Sequence, residues 1–460
     1  MTDNDILSLG VPDMVRSLAS GELSSVAITS AYLDLARSLN PEINCYIRIE
    51  PDSALTCAEQ ADAARRRGNE VHPLCGMPIA IKDIFHRRGI PVSAGSGAHA
   101  IDSGPDATVV RRLRQVGMPV LGILNLDEFA AGGSGINAHF GRCLNPVNHR
   151  FLSGGSSSGS AAAVGARMAP WSLGSDAGGS VRLPAGWCGV TGLKPTYGQV
   201  PRTGVIPRTW SMDCIGPLAG DAASCALLLE LIAGEDGRDS STLPGRQSFT
   251  PVPEVPDRSL RIGVDRGIPE TIGRHQGAAL SRAEAVFRDM GLGIAETVLQ
   301  DIEPLNQLHQ VVVKCEGAAY LAPLLSSDEC GVSESVRHVV REGYEIPAAA
   351  YLSALRLRLP MLQAFLESAF GNADAILLPL CPDDVPASDH PDIQGLFARS
   401  ARFTRFVNYL GLPAIAFPVC RDDNGMPVSV QLLGKPRDEF TLLSLADAFG
   451  RVSGPFSEGT

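Results

Sequence analysis

The sequence predicts a layered α/β fold, because short apolar runs alternate with segments of helical periodicity along most of its length. Its 460 residues are 44% hydrophobic, ample for a large core, and 48 glycines and 33 prolines supply turns between many short elements. Length alone would suggest about three domains. No linker of the usual kind divides the chain, so one domain over residues 1–460 is expected.

The N-terminal segment, residues 1–70, reads as helical. "SSVAITSAYLDLARSL" (Ser24–Leu39) sets Val26, Ile28, Leu33, Leu35 and Leu39 at mixed three-and-four spacing behind a serine able to cap it. A second helix is expected at Ser53–Gly68, rich in alanine and stopped by glycine. The texture then changes. "LCGMPIAIKDIF" (Leu74–Phe85) is an apolar run ended by Lys82 and Asp83, a buried strand with charge at its tip. Ala107–Gly117 reads as an amphipathic helix, Met118–Phe129 as another buried strand, and "AAAVGARMA" as a helix of small side chains able to approach a sheet closely. Residues Gly234–Asp257 form a long polar connection. Strands resume at Leu260–Asp265 and Asp374–Cys381, and Leu412–Gly434 is a hairpin around an Asn-Gly turn.

Composition narrows the function classes. A formal net charge of −11 speaks against direct binding of a phosphate backbone, which needs clustered Lys and Arg. No apolar stretch approaches the ~18 residues of a membrane span, and the first residues carry no secretion signal. The 11 cysteines are odd in number and include no C-x-x-C pair, which fits buried thiols in a reducing compartment. A cytoplasmic protein is expected, with no metal and no cofactor.

The chemistry concentrates in "SGGSSSGSAAAVG" (Ser153–Gly165) and "GSDAGGSVRLP" (Gly174–Pro184). A serine hydroxyl attacks only with a base in reach. Gly155–Gly159 matches the G-x-S-x-G elbow, but that elbow needs a buried strand before it, and "NPVNHRFLSG" is polar. His275, His309, His338 and His390 lie downstream as possible bases, none in a telling context. A lysine can serve instead if burial depresses its pKa. Lys82, approached through a wholly apolar strand, is the candidate in the N-terminal half, against the alternative of a lysine that marks where a strand meets water.

"GMPIAIKD", "LNLDEFAAGGSG", "SGGSSSGSAAAVG", "LGSDAGGSVRLPAGWCGVTGLKPTYG" and "SMDCIGPLA" occur in this order. They resemble the amidase signature family of serine hydrolases over a core of about residues 74–219, and the likeness resumes in "GLPAIAFPV" and "GMPVSVQLLG". The resemblance implies a single large α/β domain, a central mixed β-sheet covered on both faces by α-helices. It also implies a triad of Lys82 as base, Ser156 as bridging serine after a cis peptide bond, and Ser180 as nucleophile. Backbone N–H groups of Ala177, Gly178, Gly179 and Ser180 are the implied oxyanion donors, with Ser157, Asp176 and Arg182 in support. Ser158 and Ser160 are expected to cap a helix, Asp127 and Glu128 to be scaffold, and Cys188, Cys214 and His139 to be packing.

This chain departs from the family with Ser158 in place of Gly and Ala177 in place of Thr. The expected activity is an amidohydrolase cleaving the C–N bond of a small amide through an acyl-enzyme. Its expected partners are that substrate alone, with no nucleic acid and no membrane, a homodimer being allowed. The alternatives are the glutaminase subunit of an aminoacyl-tRNA amidotransferase, a urea- or carbamate-type hydrolase, and a dead relative serving as scaffold. Against the glutaminase, Ala401 stands where that subunit has an Asp for glutamine's amino group, and Gly331–Arg358 looks like general amidases. The helical region 303–370 is expected to wall the pocket, with His309, Glu316, Tyr320, Tyr344 and Arg402 as candidate lining residues.

Overall fold

The computed structural model describes residues 2–98, 104–245, 247–299, 301–325, 331–454 and 456. Residues 326–330 of the expected pocket wall lie outside them. The strands are β1 (Tyr46–Ile49), β2 (Ile79–Lys82), β3 (Val120–Leu124), β4 (Trp171–Asp176), β5 (Thr191–Lys194) and β6 (Cys214–Ala219). They continue as β7 (Arg261–Val264), β8 (Gly293–Glu296), β9 (Ala375–Pro379), β10 (Ala414–Arg421) and β11 (Pro427–Gly434). All 11 join one mixed sheet in the order β1-β3-β2-β4-β6-β5-β10-β11-β9-β7-β8. β2 runs parallel to both β3 and β4, whereas β4, β6, β5, β10, β11 and β9 pair antiparallel in succession.

Helices cover both faces. Ser158–Gly165 and Arg182–Trp187 pack on each other and on the central strands. Ala222–Ile232, Arg274–Asp289 and Glu439–Ser453 form the other layer, against strands from β5 to β11. The helix Ser158–Gly165 reaches the sheet because its residues are small: a Cβ on Gly159 would lie 2.4 Å from the Cys45 carbonyl oxygen. Such close packing sets the turn before the helix directly over the ends of β2 and β4.

The expected strands are found with shorter bounds, and the first long helix runs further than expected. The first long helix covers Ser25–Ile43, its start capped by Ser24 Oγ, which accepts from the Ala27 amide at 3.0 Å. Thr108–Val116 ends at Gly117, whose φ of 75° completes the left-handed cap. The hairpin turns at Asn424-Gly425. Strands β1 and β8 at the two sheet edges, and β4, β5 and β6 at its centre, are additional to the expectation; the central three are the informative ones. Each of these three is buried along its whole length, so no polar-apolar alternation marks it, and serines and glycines interrupt any apolar run. The strand that precedes the nucleophile candidate is therefore the one with the weakest pattern.

At the sheet edge, β1 approaches β3 so closely that a Cβ on Gly122 would sit 2.3 Å from the Arg48 carbonyl oxygen. Gly122→Ala is expected to push β1 off the sheet and cost ~1–3 kcal/mol. Urea unfolding at matched protein concentration checks this; an unchanged midpoint would mean that the edge strand gives way freely.

Candidate active site

Because β2 and β4 are parallel neighbours, with Ala80 opposite Ser172 and Ile81 opposite Leu173, their C-terminal ends lie side by side. That register brings Lys82, at the tip of β2, next to Ser175, near the tip of β4. The Lys82 amine is fully buried and lies 2.8 Å from Ser156 Oγ, 2.9 Å from Ser157 Oγ and 3.0 Å from Ser175 Oγ. Ser175 is not among the expected site residues; nothing in its local sequence distinguishes it from the serines around it.

Burial pulls the Lys82 pKa down to about 7, against the charge of Asp127, which acts to raise it. Asp127 is itself pushed up to about 7 by burial, opposed by Lys82. Each thus favours the charged form of the other, while burial favours the neutral form of both.

The Gly155–Ser156 peptide is cis. The Asp127 amide donates to the Ser156 carbonyl at 3.2 Å, and a Cβ on Gly155 would fall 1.9 Å from Asp127 Oδ2, so only glycine fits there. Asp127 is thus in contact with the turn that carries the bridging serine. The scaffold expected of it lies at the site itself: the chain turns after β3 and brings this carboxylate back against the turn. Glu128 points elsewhere, accepting from Ser96, His139 and Ser333.

Ser157 precedes the helix Ser158–Gly165, but its side chain caps nothing. Its hydroxyl donates to the Ser175 carbonyl at 3.1 Å and its amide to the Ser180 carbonyl at 3.3 Å. This last bond ties the Ser156–Ser157 turn to the loop bearing Ser180. The helix-cap reading of Ser158 and Ser160 is corrected: Ser160 Oγ donates to the Leu173 carbonyl, and Ser158 is buried beside the Cys143 thiol.

The loop after β4 folds around Asp176. Its carboxylate accepts from the amides of Gly179 at 2.7 Å and Val181 at 3.1 Å, and from Arg182 Nε and Nη2 at 3.0 and 3.1 Å. Burial alone would raise the Asp176 pKa, but the Arg182 charge and these hydrogen bonds outweigh it and hold the carboxyl well below its usual range. Arg182 is fully buried and also donates to Gln431, Thr404 and Asn408. Gly179, at φ 126°, therefore has its N–H turned inward to Asp176 and away from any substrate oxygen. Among the described residues the N–H groups of Ala177, Gly178 and Ser180 have no such partner.

From outside the signature blocks, His309 Nε2 lies 2.7 Å from the Ala177 carbonyl oxygen, so that nitrogen carries the proton and donates. Burial lowers the His309 pKa to about 3 and keeps the ring neutral. Thr404 Oγ1 donates to the Gly178 carbonyl at 2.7 Å. The His309 contact holds the back of the peptide unit whose N–H is that of Gly178, and the Thr404 contact holds the unit whose N–H, that of Gly179, is already bound to Asp176. Of the other expected lining residues, Glu316 is buried and accepts from Thr209, Ser211 and Tyr351, whereas Tyr344 is exposed and Arg402 rests on the Phe403 ring. His275 pairs with Asp384, His338 with Glu342, and none of these rings neighbours Ser156 or Ser180.

A family model described as Amidase matches residues 27–443. The chain belongs to the amidase signature family. It is 35% identical to a subunit of the glutamyl-tRNA(Gln) amidotransferase of Chloroflexus aggregans, over 95% of each chain. Among solved structures it resembles one described as "an unexpected vestigial protein complex" revealing "the evolutionary origins of an s-triazine catabolic enzyme", at 30% identity and a TM-score of 0.88, covering 97% of this chain and 99% of that one. The native peptide amidase of Stenotrophomonas maltophilia is similar at 28% identity and a TM-score of 0.84, covering 98% and 99%. The protein is an amide-cleaving hydrolase.

These relatives correct the expected partners. A small amide alone, with no nucleic acid, does not fit a chain similar over nearly its whole length to subunits of a tRNA-dependent amidotransferase. Net charge misled because it averages the whole surface and is silent on what other subunits of an assembly hold. No described helix is long and apolar enough to cross a membrane.

The buried Lys82–Asp127 pair makes a pH prediction. The Lys82 amine accepts a proton only above its own pKa, so kcat/KM should fall about tenfold per pH unit below an apparent pKa near 7. Asp127 raises that pKa, so Asp127→Asn should shift the acid limb to lower pH. A pH–rate profile in which the variant's limb moves upward would contradict the assignment.

Proposed function

We propose that this chain is the glutaminase subunit of an amidotransferase acting on aminoacyl-tRNA in the cytoplasm, and that it releases ammonia from glutamine through a Ser180 acyl-enzyme. The observation that carries the chemistry is the buried Lys82 amine within 2.8 Å of Ser156 Oγ. The likeness to amidotransferase subunits over 95% of both chains supports the choice of substrate.

In this reading neutral Lys82 has two N–H bonds and one lone pair. The Ser157 hydrogen is committed to the Ser175 carbonyl, so Ser157 accepts one N–H of Lys82. Ser175 accepts the other, and the lone pair is left facing Ser156. Ser180 Oγ then attacks the carboxamide carbon and gives its proton to Ser156 Oγ, while Ser156 passes its own to Lys82. The oxyanion is held by N–H groups of Ala177, Gly178 and Ser180, each such donor being worth ~10²–10³ in rate. Collapse breaks the C–N bond, and ammonia leaves with a proton returned through Ser156 from Lys82. Water then cleaves the ester by the same relay, giving glutamate. Asp176 and Arg182 act through the loop, holding the donors forward.

A second reading, an amidase that does not pass its ammonia on, is favoured by one observation. Ala401 is fully buried at the head of the helix Arg402–Leu410 and offers no carboxylate to an α-amino group. Ammonia release should be assayed with the purified chain on glutamine, anilides, aliphatic amides and ureas, with and without its partner subunits. Turnover of glutamine is expected; indifference to glutamine in both settings, with turnover of another amide, selects the second reading.

Ser180→Ala and Lys82→Ala should each lower turnover by roughly 10⁴-fold or more while leaving the circular dichroism spectrum intact. A fluorophosphonate probe should label Ser180 in the native protein. Wild-type activity in either variant would remove that residue from the relay.

A further inference from the structure

A second constellation lies away from the hydrolytic residues. The loop that leaves β2 and the helix Thr108–Val116 border an open cleft of about 430 Å³ lined by Arg88, Arg111, Arg114, Arg238, Asp106 and Gln115. Four arginines thus line one space in a chain whose formal net charge is −11. Their internal compensation is incomplete. Asp106, the only lining carboxylate among the described residues, accepts from the Arg88 amide at 2.7 Å and pairs with Arg114 at 2.5 Å. Arg238 is held by Asp236 and by Thr108. Among the described residues the Arg111 and Arg88 side chains make no ion pair or hydrogen bond, and Asp106, already paired with Arg114, is a charge beside Arg88.

Like charges gathered around one space repel each other unless an anion joins them. The planar fork of arginine matches the oxygens of a phosphate, and Arg111 and Arg114 sit three residues apart, on one face of their helix. The volume falls in the ~300–1,000 Å³ range of ligand sites, which is more than a single ion needs. In the sequence, "RRLRQ" reads only as the polar side of an amphipathic helix, because whole-chain charge hides a local excess.

We infer that this cleft is an anion site for a phosphate-bearing ligand, bound through Arg88 and Arg111 with Arg114 and Arg238 at its rim. The shared chemistry is a phosphate group, carried by a free oligophosphate or by an RNA backbone. The inference stands on its own, whichever amide the hydrolytic site cleaves.

The test titrates the full chain with pyrophosphate and, separately, with a short 5′-phosphorylated RNA, read by calorimetry and fluorescence anisotropy at two salt concentrations. Saturable binding of at least one is expected. Arg88→Ala with Arg111→Ala should weaken it at least tenfold, flatten its salt dependence by about one unit of slope for each arginine replaced, and leave melting temperature and amide turnover unchanged. RNA binding that pyrophosphate displaces points to a nucleic acid, and pyrophosphate binding without RNA binding to a free oligophosphate; both support the site. Absence of saturable binding by either probe, or undiminished binding by the folded double variant, overturns it.

Discussion

The whole site depends on keeping one lysine amine out of water. A charged ammonium in an apolar interior is costly, and the protein lessens the cost by lowering the proton affinity of Lys82 and surrounding it with hydroxyls instead of carboxylates. Three serines solvate the amine without fixing a proton on it. Asp127, the nearest counter-charge, is buried too and pushed toward its neutral form, so it does not turn the lysine into a permanent cation. The apolar run "MPIAI" before Lys82 is what carries the amine inward.

The second constraint is the ion pair Asp176–Arg182. A buried pair is kept only where its remaining hydrogen-bonding capacity is met. Here the partners come from three places: the amides of the loop itself, Thr404 and Asn408 on the helix Arg402–Leu410, and Gln431 on β11. Each bond that satisfies the pair also fixes the loop, so the amides of Ala177, Gly178 and Ser180 are held outward as a by-product of satisfying Asp176 and Arg182 inside. Gly179 is taken up in this frame, which is why it drops out of the donor set.

Charge behaves differently at the two scales of this molecule. The overall excess of acid over base suggests a surface indifferent to polyanions, yet four arginines line a single cleft away from Lys82.

The sequence by itself determined the α/β class, the hairpin and the capped helices, because periodicity and turn chemistry are local properties, and the order of its glycine- and serine-rich blocks carried the family resemblance. β4 was invisible to that reading: a strand buried on both faces has no alternation, and "WSLGSD" has no apolar run. Ser175, Asp127 and Thr404 joined the site only through the fold, which also gave His309, a candidate from the sequence, its place against Ala177. Their partners lie far away along the chain, and the parallel register of β2 with β4 and the return of the helices Glu303–Leu321 and Arg402–Leu410 over the loop bring them there. Likewise, only tertiary structure decided that the Gly179 amide faces inward, since which way an N–H points is set by the carboxylate that meets it.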